Sequence, residues 1–285
     1  MDIDLPPQAP LASWLERATL WLAPVSDSAR LDAELLLAEL LRQPRSFLFA
    51  HADEPLAAGI GQQYRQLLAR RAAGEPLAYI LGRREFWSLE LAVTPAVLVP
   101  RPETELLVER CLALVGPGPA AVADLGTGSG AIALALACER PQWRVVATDA
   151  SAAALDVARG NARRLGLTRV EFLQGDWFEP LPQQRFDLIA SNPPYIATAD
   201  PALQAPALRH EPAGALTPGP TGLESLRQLV SGAGAHLVPG GALVLEHGAD
   251  QAAPLAQMLV AHGYARVRCH PDLAGLDRVT EALRP

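Results

Sequence analysis

Two short motifs contain residue types suited to binding a nucleotide-like ligand and acting on it. The first reads DLGTGSG at 124–130, after an apolar stretch and before one rich in alanine and leucine. Glycines allow a positive φ and let a ligand approach the backbone beside the free N–H groups of a helix start. The pattern predicts a ligand-binding turn between a strand and a helix. Its residues are Asp124, Gly126, Thr127, Gly128, Ser129 and Gly130.

Nearby carboxylates indicate what the ligand is. The next predicted strand ends at Asp149, 19 residues after Gly130, where a carboxylate can bind the two hydroxyls of a ribose. With Ala131 as its last residue, the turn also satisfies the dinucleotide pattern G-x-G-x-x-G/A, so NAD is an alternative. Asp124 favours S-adenosylmethionine, because an anion beside the turn suits an ammonium and a sulfonium better than a pyrophosphate.

A further stretch, GDWF at 175–178, follows the third predicted strand. Asp176 is expected to accept a hydrogen bond from an adenine amino group, and Trp177 to cover the adenine ring. Ordinary core packing would also account for the tryptophan. These two residues extend the predicted cofactor site to a third strand end.

The second motif is NPPY, which ends the predicted strand RFDLIAS at 185–191. Two adjacent prolines cannot donate to a sheet, so the strand must stop here. Ligands of open parallel sheets bind beyond the carboxyl ends of the strands, so the motif and the glycine turn should share a cleft. The Asn192 side-chain oxygen and the Pro193 carbonyl can each accept one N–H of a planar NH₂ group. Pro194 helps to fix that geometry before substrate binds, and Tyr195 can pack on the group. The motif predicts methylation of a planar NH₂ nitrogen.

The elements that must position these motifs fall into three segments. Residues 1–75 predict a helical bundle, with one helix over 11–22 that buries Leu11, Trp14, Leu15, Ala18 and Leu22. A second helix over 29–43 is expected to bury Leu31, Leu35, Ala38 and Leu41. A third is expected to begin at 53–55, where an acid precedes a proline, and to run to Arg71.

Residues 76–100 predict a β-hairpin that links the helical domain to the rest of the chain, because aromatic and β-branched residues alternate there with polar ones. Residues 101–285 alternate strand and helix patterns, as in a mostly parallel α/β sheet. The last two predicted strands, near 265–272 and 278–284, are expected to close the sheet as edge strands. The predicted domains are therefore 1–75, 76–100 and 101–285.

Composition narrows the function classes. The chain has 285 residues, a formal charge of −7 and 24 basic residues, all of them arginine, so Schiff-base chemistry and a P-loop lysine are excluded. Residues 1–80 contain 7 Arg against 10 Asp and Glu, which disfavours stable nucleic-acid binding. Three scattered cysteines predict neither disulfides nor a metal site. The N-terminus lacks the pattern of a signal peptide and no apolar run could span a bilayer, so a cytoplasmic protein without membrane contact is expected.

Together the motifs resemble the release-factor glutamine N5-methyltransferases (PrmC/HemK). The similarity rests on VLVPRPETE at 97–105, DLGTGSGAIALALA at 124–137, GDWF at 175–178, SNPPYI at 191–196 and LEHG at 245–248. It implies a class I methyltransferase fold, Rossmann-like, with a mostly parallel seven-stranded sheet, a small N-terminal helical bundle and a β-hairpin linker. It also implies that S-adenosylmethionine binds at the residues named above, with Asn192 among them. The substrate would be the glutamine of the Gly-Gly-Gln loop in peptide-chain release factors, docked with help from the helical domain.

Several assignments have alternatives. Arg101 is expected near the mouth of the cleft, or else is a surface arginine, and Phe86 caps the site or packs in the core. The proline-rich segment at 197–222 is expected to be a substrate-facing flap, and Glu246 a structural residue. A ribosomal-protein glutamine methyltransferase shares the same chemistry. A nucleic-acid methyltransferase acting on adenine N6 or guanine N2 also fits NPPY, whereas an NAD-dependent dehydrogenase leaves NPPY unexplained. A monomer is expected.

Overall fold

The computed structural model describes residue 6, residues 9–57 and residues 59–285. The predictions about the extreme N-terminus, residues 1–5, lie outside the described residues. The chain divides into two compact units, Met1–Gly82 and Arg83–Pro285. All of the second unit is described.

The described part of the first unit is helical, as predicted. Its helices are α1 Leu11–Leu22, α2 Ala29–Leu41, α3 Arg45–Ala50, α4 Ile60–Ala72 and α5 Leu77–Leu81. The face of α1 predicted to be buried is confirmed, since Leu11, Trp14, Leu15, Ala18 and Leu22 all lie in the core of this unit.

The predicted buried face of α2 is only partly confirmed, since Ala38 is buried as expected whereas Leu35 and Leu41 are half-buried. Leu31 is 39% exposed, and the helix instead buries Ala33, Leu36 and Leu37 together with two carboxylates. Asp32 accepts a hydrogen bond from Arg71 Nε at 2.7 Å, and Glu34 accepts one from Arg45. Paired acids can be buried where unpaired ones cannot. Arg71 and Arg45 lie too far along the chain to appear in a helical pattern, whereas a further partner of Glu34, Arg30, lies one turn earlier on α2.

The predicted start of the third helix is also wrong. Pro55 forms an isolated bridge with Pro10, and α4 begins only at Ile60, after Gly59 in a left-handed conformation with φ +83°. Its end at Ala72 matches the prediction within one residue. The short helices α3 and α5 were not predicted, because a single turn carries too few residues to show a period.

The second unit opens with the predicted hairpin and continues as an α/β domain. The hairpin strands β1 Arg83–Phe86 and β2 Leu89–Ala92 are antiparallel; the hairpin starts later than predicted because residues 77–81 are helical. The remaining helices are α6 Thr104–Leu114, α7 Ala131–Glu139, α8 Ala152–Arg164, α9 Glu224–His236 and α10 Ala252–Ala261. The remaining strands are β3 Ala121–Leu125, β4 Arg144–Asp149, β5 Glu171–Gln174, β6 Phe186–Ser191, β7 Leu237–Glu246, β8 Ala265–Pro271 and β9 Asp277–Leu283.

These seven strands form one sheet in the order β5-β4-β3-β6-β7-β9-β8. The first five are parallel, and β9 is antiparallel to both β7 and β8. The expected mostly parallel seven-stranded sheet is confirmed. Of the two strands predicted to be edge strands, β8 lies at an edge and β9 is interior. The chain order reverses between β3 and β6, and ligands of open α/β sheets bind in the crevice beside such a reversal.

Two observations concern membrane-spanning helices and metal sites. None of the helices among the described residues is both long and apolar enough to cross a membrane. Across the same residues, no group of three or more His, Cys, Asp or Glu side chains could hold a metal ion.

Candidate active site

A cavity of about 410 Å³ lies in the second unit, at the carboxyl ends of β3, β4, β5 and β6. This volume falls in the range typical of small-molecule sites. Most of the predicted site residues line it. They are Arg101, Gly126, Thr127, Gly128, Ser129, Asp149, Asp176, Trp177, Asn192 and Pro194.

The glycine turn between β3 and α7 forms one wall. Gly126 and Gly128 have φ of +73° and +56°, a conformation that side chains other than hydrogen disfavour. The N–H groups of Gly126 and Thr127 both donate to Thr148 O at 2.9 Å, which fixes the turn against the end of β4. A Cβ added at Gly128 would meet no atom within 4 Å, so open space for a ligand reaches the backbone here.

Asp149 follows β4 and lines the cavity as predicted. Its Oδ2 accepts from Gly128 N–H at 2.9 Å and its Oδ1 from Ser151 N–H at 2.9 Å. Each carboxylate oxygen has a second lone pair. Asp149 can therefore hold the turn and still accept hydrogen bonds from two ribose hydroxyls.

Asp124 differs from the prediction, because it does not line the cavity. Its side chain is fully buried beneath the turn, where Oδ2 accepts from Thr127 Oγ1 at 2.6 Å and from Ala133 N–H at 3.1 Å. Burial raises the pKa of this carboxyl to about 7, although the two hydrogen bonds oppose the rise. Asp124 thus braces the turn from inside the domain. Gly130, which caps α7 with φ +86°, is likewise outside the cavity wall.

Trp177 and Asp176 form the wall beyond β5. Trp177 has a left-handed backbone with φ +44°, and its indole Nε1 donates to Gln228 Oε1 at 2.8 Å. Its ring packs so closely over Gly126 that an added Cβ there would lie 3.2 Å from Cζ3. The glycine turn and the indole therefore shape one another.

Asn192 is held at the end of β6 by two contacts. Ser191 Oγ donates to Leu125 O at 2.6 Å, which ties the end of β6 to the end of β3. Asn192 Nδ2 donates to Thr104 Oγ1 at 3.1 Å, and no hydrogen bond to Asn192 Oδ1 is present within residues 83–285. The side-chain oxygen of a cavity-lining asparagine is therefore left to accept from a ligand.

The rest of NPPY is only partly as predicted. Pro194 lines the cavity, whereas Pro193 is buried and is not part of the wall. Tyr195 was expected to pack on the substrate, but it too is absent from the wall, and its hydroxyl donates to Glu246 Oε1 at 3.4 Å. The side chain of Gln251 donates to Tyr195 O at 2.9 Å, which holds the backbone after the motif.

Two more residues lie around the end of the motif: Glu246, which the sequence predicted to be structural, and Thr104, for which the sequence predicted no role. Glu246, at the end of β7, is 1% exposed, and burial raises the pKa of its carboxyl to about 7. The proximity of the Thr104 hydroxyl and of Arg278 opposes this rise. Thr104 lines the cavity at the start of α6. The sequence signal for Thr104 was its place in PRPETE, which reads equally well as a helix start.

Residues 197–222, here named the roof segment, cover part of the cavity with Pro212, Gly214, Ala215, Thr217 and Pro218. The segment is anchored by Glu211, whose side chain is fully buried and accepts from Arg101 Nη2 at 2.6 Å. Glu211 also accepts from Val99 N–H at 3.2 Å. Arg101 therefore lies at the cavity, as expected, and joins its wall to the roof segment.

Phe86 does not line the cavity. It is 1% exposed and packs with Leu91, Leu107 and Val108 in the core of the second unit. Its assignment to substrate binding is therefore corrected to core packing, the alternative weighed from the sequence.

The cavity residues fit S-adenosylmethionine. The turn, whose backbone is open to the cavity, suits the methionine part of that cofactor. The carboxylate of Asp149 suits the ribose, and the indole beside an acid suits the adenine. An asparagine oxygen on the same cavity wall suits an NH₂ group that is to be methylated. The arrangement can therefore bring a planar amine and a methyl donor together.

Comparison with known proteins agrees with this chemistry. Residues 13–82 match the family model of the PrmC N-terminal domain, and residues 102–219 match the methyltransferase small domain. The chain is 54% identical to the release factor glutamine methyltransferase of Xylella fastidiosa over 88% of its own length and 92% of the relative's. It is 52% identical to that of Burkholderia pseudomallei, over 90% and 92%. A methyltransferase from Pyrococcus furiosus shares the fold, with a TM-score of 0.53, 21% identity and coverage of 78% of this chain and 96% of that one. This chain belongs to the release factor glutamine methyltransferase family.

Proposed function

We propose that this enzyme transfers a methyl group from S-adenosylmethionine to the side-chain amide nitrogen, N5, of the glutamine in the Gly-Gly-Gln motif of peptide-chain release factors. The observation that carries the proposal is Asn192, whose Nδ2 is engaged by Thr104 while its Oδ1 remains an acceptor on the cavity wall. An amide NH₂ needs acceptors, and a fixed acceptor orients it before reaction.

The cofactor would be held by the three strand ends of the cavity. The turn at 126–129 takes the methionine part, Asp149 the ribose, and Asp176 with Trp177 the adenine. Asp124 acts through the turn, because its carboxyl contacts Thr127 and the backbone of α7. Once bound, S-adenosylmethionine would supply an electrophilic methyl group on a sulfonium, and the methyl–sulfur bond would break as the N–C bond forms, with S-adenosylhomocysteine as the product.

The residues of this chain would orient the glutamine amide and exclude water. Asn192 Oδ1 accepts one N–H of the amide, which orients the nitrogen with its lone pair towards the methyl donor, whereas the buried Pro193 lies outside the cavity wall. Pro194 keeps the backbone rigid on the cavity side. The N–H proton becomes acidic only as the new N–C bond forms, so no base is needed beforehand. The roof segment covers the site from solvent.

The wider assignments remain predictions. The helical segment 1–75 is assigned to release-factor recognition, 76–100 to the linker and 101–285 to catalysis. The net charge of −7 supports a protein substrate without stable nucleic-acid binding. A monomeric enzyme in the cytoplasm fits a substrate that acts in translation.

The test is transfer of labelled methyl from S-adenosylmethionine to a purified release factor, with parallel reactions on its Gln→Ala variant, on ribosomal proteins and on RNA. We expect label on the wild-type factor alone, and mass spectrometry should locate it on the Gly-Gly-Gln peptide. Full labelling of the Gln→Ala factor would refute the assigned position. Stronger labelling of ribosomal proteins or of RNA than of the release factor would show that they are the preferred substrate.

A further inference from the structure

Helix α9 presents two polar side chains at the wall of the cavity. Ser225, in the first turn of α9, lines the cavity and is 5% exposed. Gln228 follows three residues later, and residues three apart on a helix lie on the same face. Gln228 Oε1 accepts a hydrogen bond from the indole Nε1 of Trp177 at 2.8 Å. This face of α9 therefore extends from the cavity wall to the indole that is assigned to the adenine.

The hydroxyl of Ser225 has no hydrogen-bond partner among the described residues. A buried hydroxyl without a partner loses its bonds to water and gains none in return, so most buried hydroxyls in proteins are paired. Because Ser225 lines the cavity, a bound ligand can supply the partner that the protein does not. Leu226, Leu229 and Val230 of the same helix are buried in the domain, which holds the serine in place.

Trp177, the residue that Gln228 contacts, is held at three points. Its backbone O accepts from Thr148 Oγ1 at 3.1 Å, and one edge of its ring packs over Gly126. The hydrogen bond to Gln228 fixes the nitrogen edge of the same ring. An indole covers a flat base only when its plane is held parallel to that base, so the bond to Gln228 restrains the orientation that stacking requires.

We propose that this face of α9 completes the adenine site: the Ser225 hydroxyl forms a hydrogen bond with the adenine of S-adenosylmethionine, and Gln228 is a positioning residue that holds the Trp177 indole against the ring. A hydroxyl can donate to a ring nitrogen of adenine or accept from its amino group. The proposal rests on the cofactor site proposed above. It adds a helix to a site otherwise built from strand ends.

The contact of Ser225 is tested by calorimetry without release factor. Ser225→Ala should raise the Kd for S-adenosylmethionine by about 2- to 10-fold, the effect of losing one hydrogen bond. The Kd for methylthioadenosine, which keeps the adenine but lacks the amino-acid part, should rise by the same factor. Ser231→Ala is the matched control on α9, since the exposed Ser231 donates to Gln228 O at 3.0 Å. An unchanged Kd in Ser225→Ala, or a change confined to S-adenosylmethionine, would overturn the contact with adenine.

The role of Gln228 is tested with Gln228→Leu, which removes the acceptor at similar size, and Gln228→Glu, which keeps an acceptor oxygen. Gln228 is exposed, so neither substitution disturbs the core. We expect the Kd for S-adenosylmethionine to rise about fivefold in the leucine variant, a part of the value of base–aromatic stacking, and to stay near wild type in the glutamate variant. Gln184→Leu is the control, because Gln184 accepts from Arg144 outside the cavity. Wild-type affinity in Gln228→Leu, or no recovery in Gln228→Glu, would refute the positioning role.

A spectroscopic measurement follows the indole directly. The Nε1–H resonance of Trp177, one of five tryptophans in the chain, is identified by its loss in Trp177→Phe. It should shift on addition of methylthioadenosine, and in Gln228→Leu it should already be displaced without ligand. Coincidence of the ligand-free resonances in wild type and Gln228→Leu would show that Gln228 does not hold the indole. None of these measurements uses release factor, so if they give the expected results while release factor is not labelled, only the substrate assignment fails.

Discussion

The contact between Gly126 and Trp177 leads to a prediction about stability. Gly126 has φ +73°, and a Cβ there would lie 3.2 Å from Trp177 Cζ3 and 3.6 Å from Cη2. Gly128 has a similar φ of +56° but would place its Cβ more than 4 Å from any other atom. The variants Gly126→Ala and Gly128→Ala therefore share backbone strain and differ in one steric contact.

The magnitudes follow from that difference. A left-handed conformation costs a residue with a Cβ about 1–2 kcal/mol, and both variants bear this cost. Gly126→Ala must also displace an indole that is held by its hydrogen bond to Gln228, and overpacking of this kind costs roughly 1–3 kcal/mol. We expect the free energy of unfolding to fall by about 3 kcal/mol in Gly126→Ala and by about 1 kcal/mol in Gly128→Ala.

Urea denaturation without cofactor measures both values, since a bound ligand would add its own stabilisation. The same pair of substitutions in a Trp177→Leu background provides the control. There the extra loss in Gly126→Ala should vanish, because the ring that it displaces is gone. Equal losses for the two alanine variants in the wild-type background would refute the reasoning, as would an extra loss that survives in Trp177→Leu.

Three further predictions concern the cavity. Asn192→Ala should abolish methylation while weakening S-adenosylmethionine binding only modestly, as measured by calorimetry; near-normal turnover would contradict the role of NPPY. Glu246→Gln should gain stability over the wild type as pH rises from about 4.5 to about 7, on the order of 3 kcal/mol, because in that window the unfolded wild-type chain ionises this carboxyl while the folded protein keeps it neutral; a difference in Tm that is constant with pH would rule this out. Glu211→Ala should lose roughly 2 kcal/mol, because Arg101 and the Val99 N–H lose their shared acceptor, and it should expose residues 197–222 to proteolysis; unchanged resistance would disprove the anchor.

The parts of the site that were predictable are those written in local sequence. A glycine turn after an apolar strand can be recognised from a few consecutive residues. The same is true of an acid at the next strand end and of prolines that stop a strand. Because the carboxyl ends of parallel strands meet at one edge of a sheet, these motifs could be predicted to form one site from the sequence alone. This is why the turn, Asp149 and Asn192 were placed correctly on one cavity.

The parts that failed depend on partners distant in the chain. Whether Tyr195 faces substrate or protein is decided by Glu246, which lies 51 residues further on. Asp124 was placed next to the right turn, but burial decided which way its carboxyl points. Phe86 shows the same limit, since an aromatic residue near a site and one in a core look alike in sequence.

Hydrogen bonds hold the two ends of the roof segment in place, and they determine where residues can be inserted into it. Thr198 N–H donates to Gly219 O at 2.9 Å, Ile196 N–H to Leu216 O at 3.0 Å, and Gln251 Nε2 to Gly222 O at 3.2 Å. The cavity wall uses residues from 212 onward and none from 199–210. Lengthening a surface loop costs little free energy. Residues 199–210 are therefore the place for grafted sequences or reporter tags, whereas an insertion after Glu211 would break the fastening on which the methylation site depends.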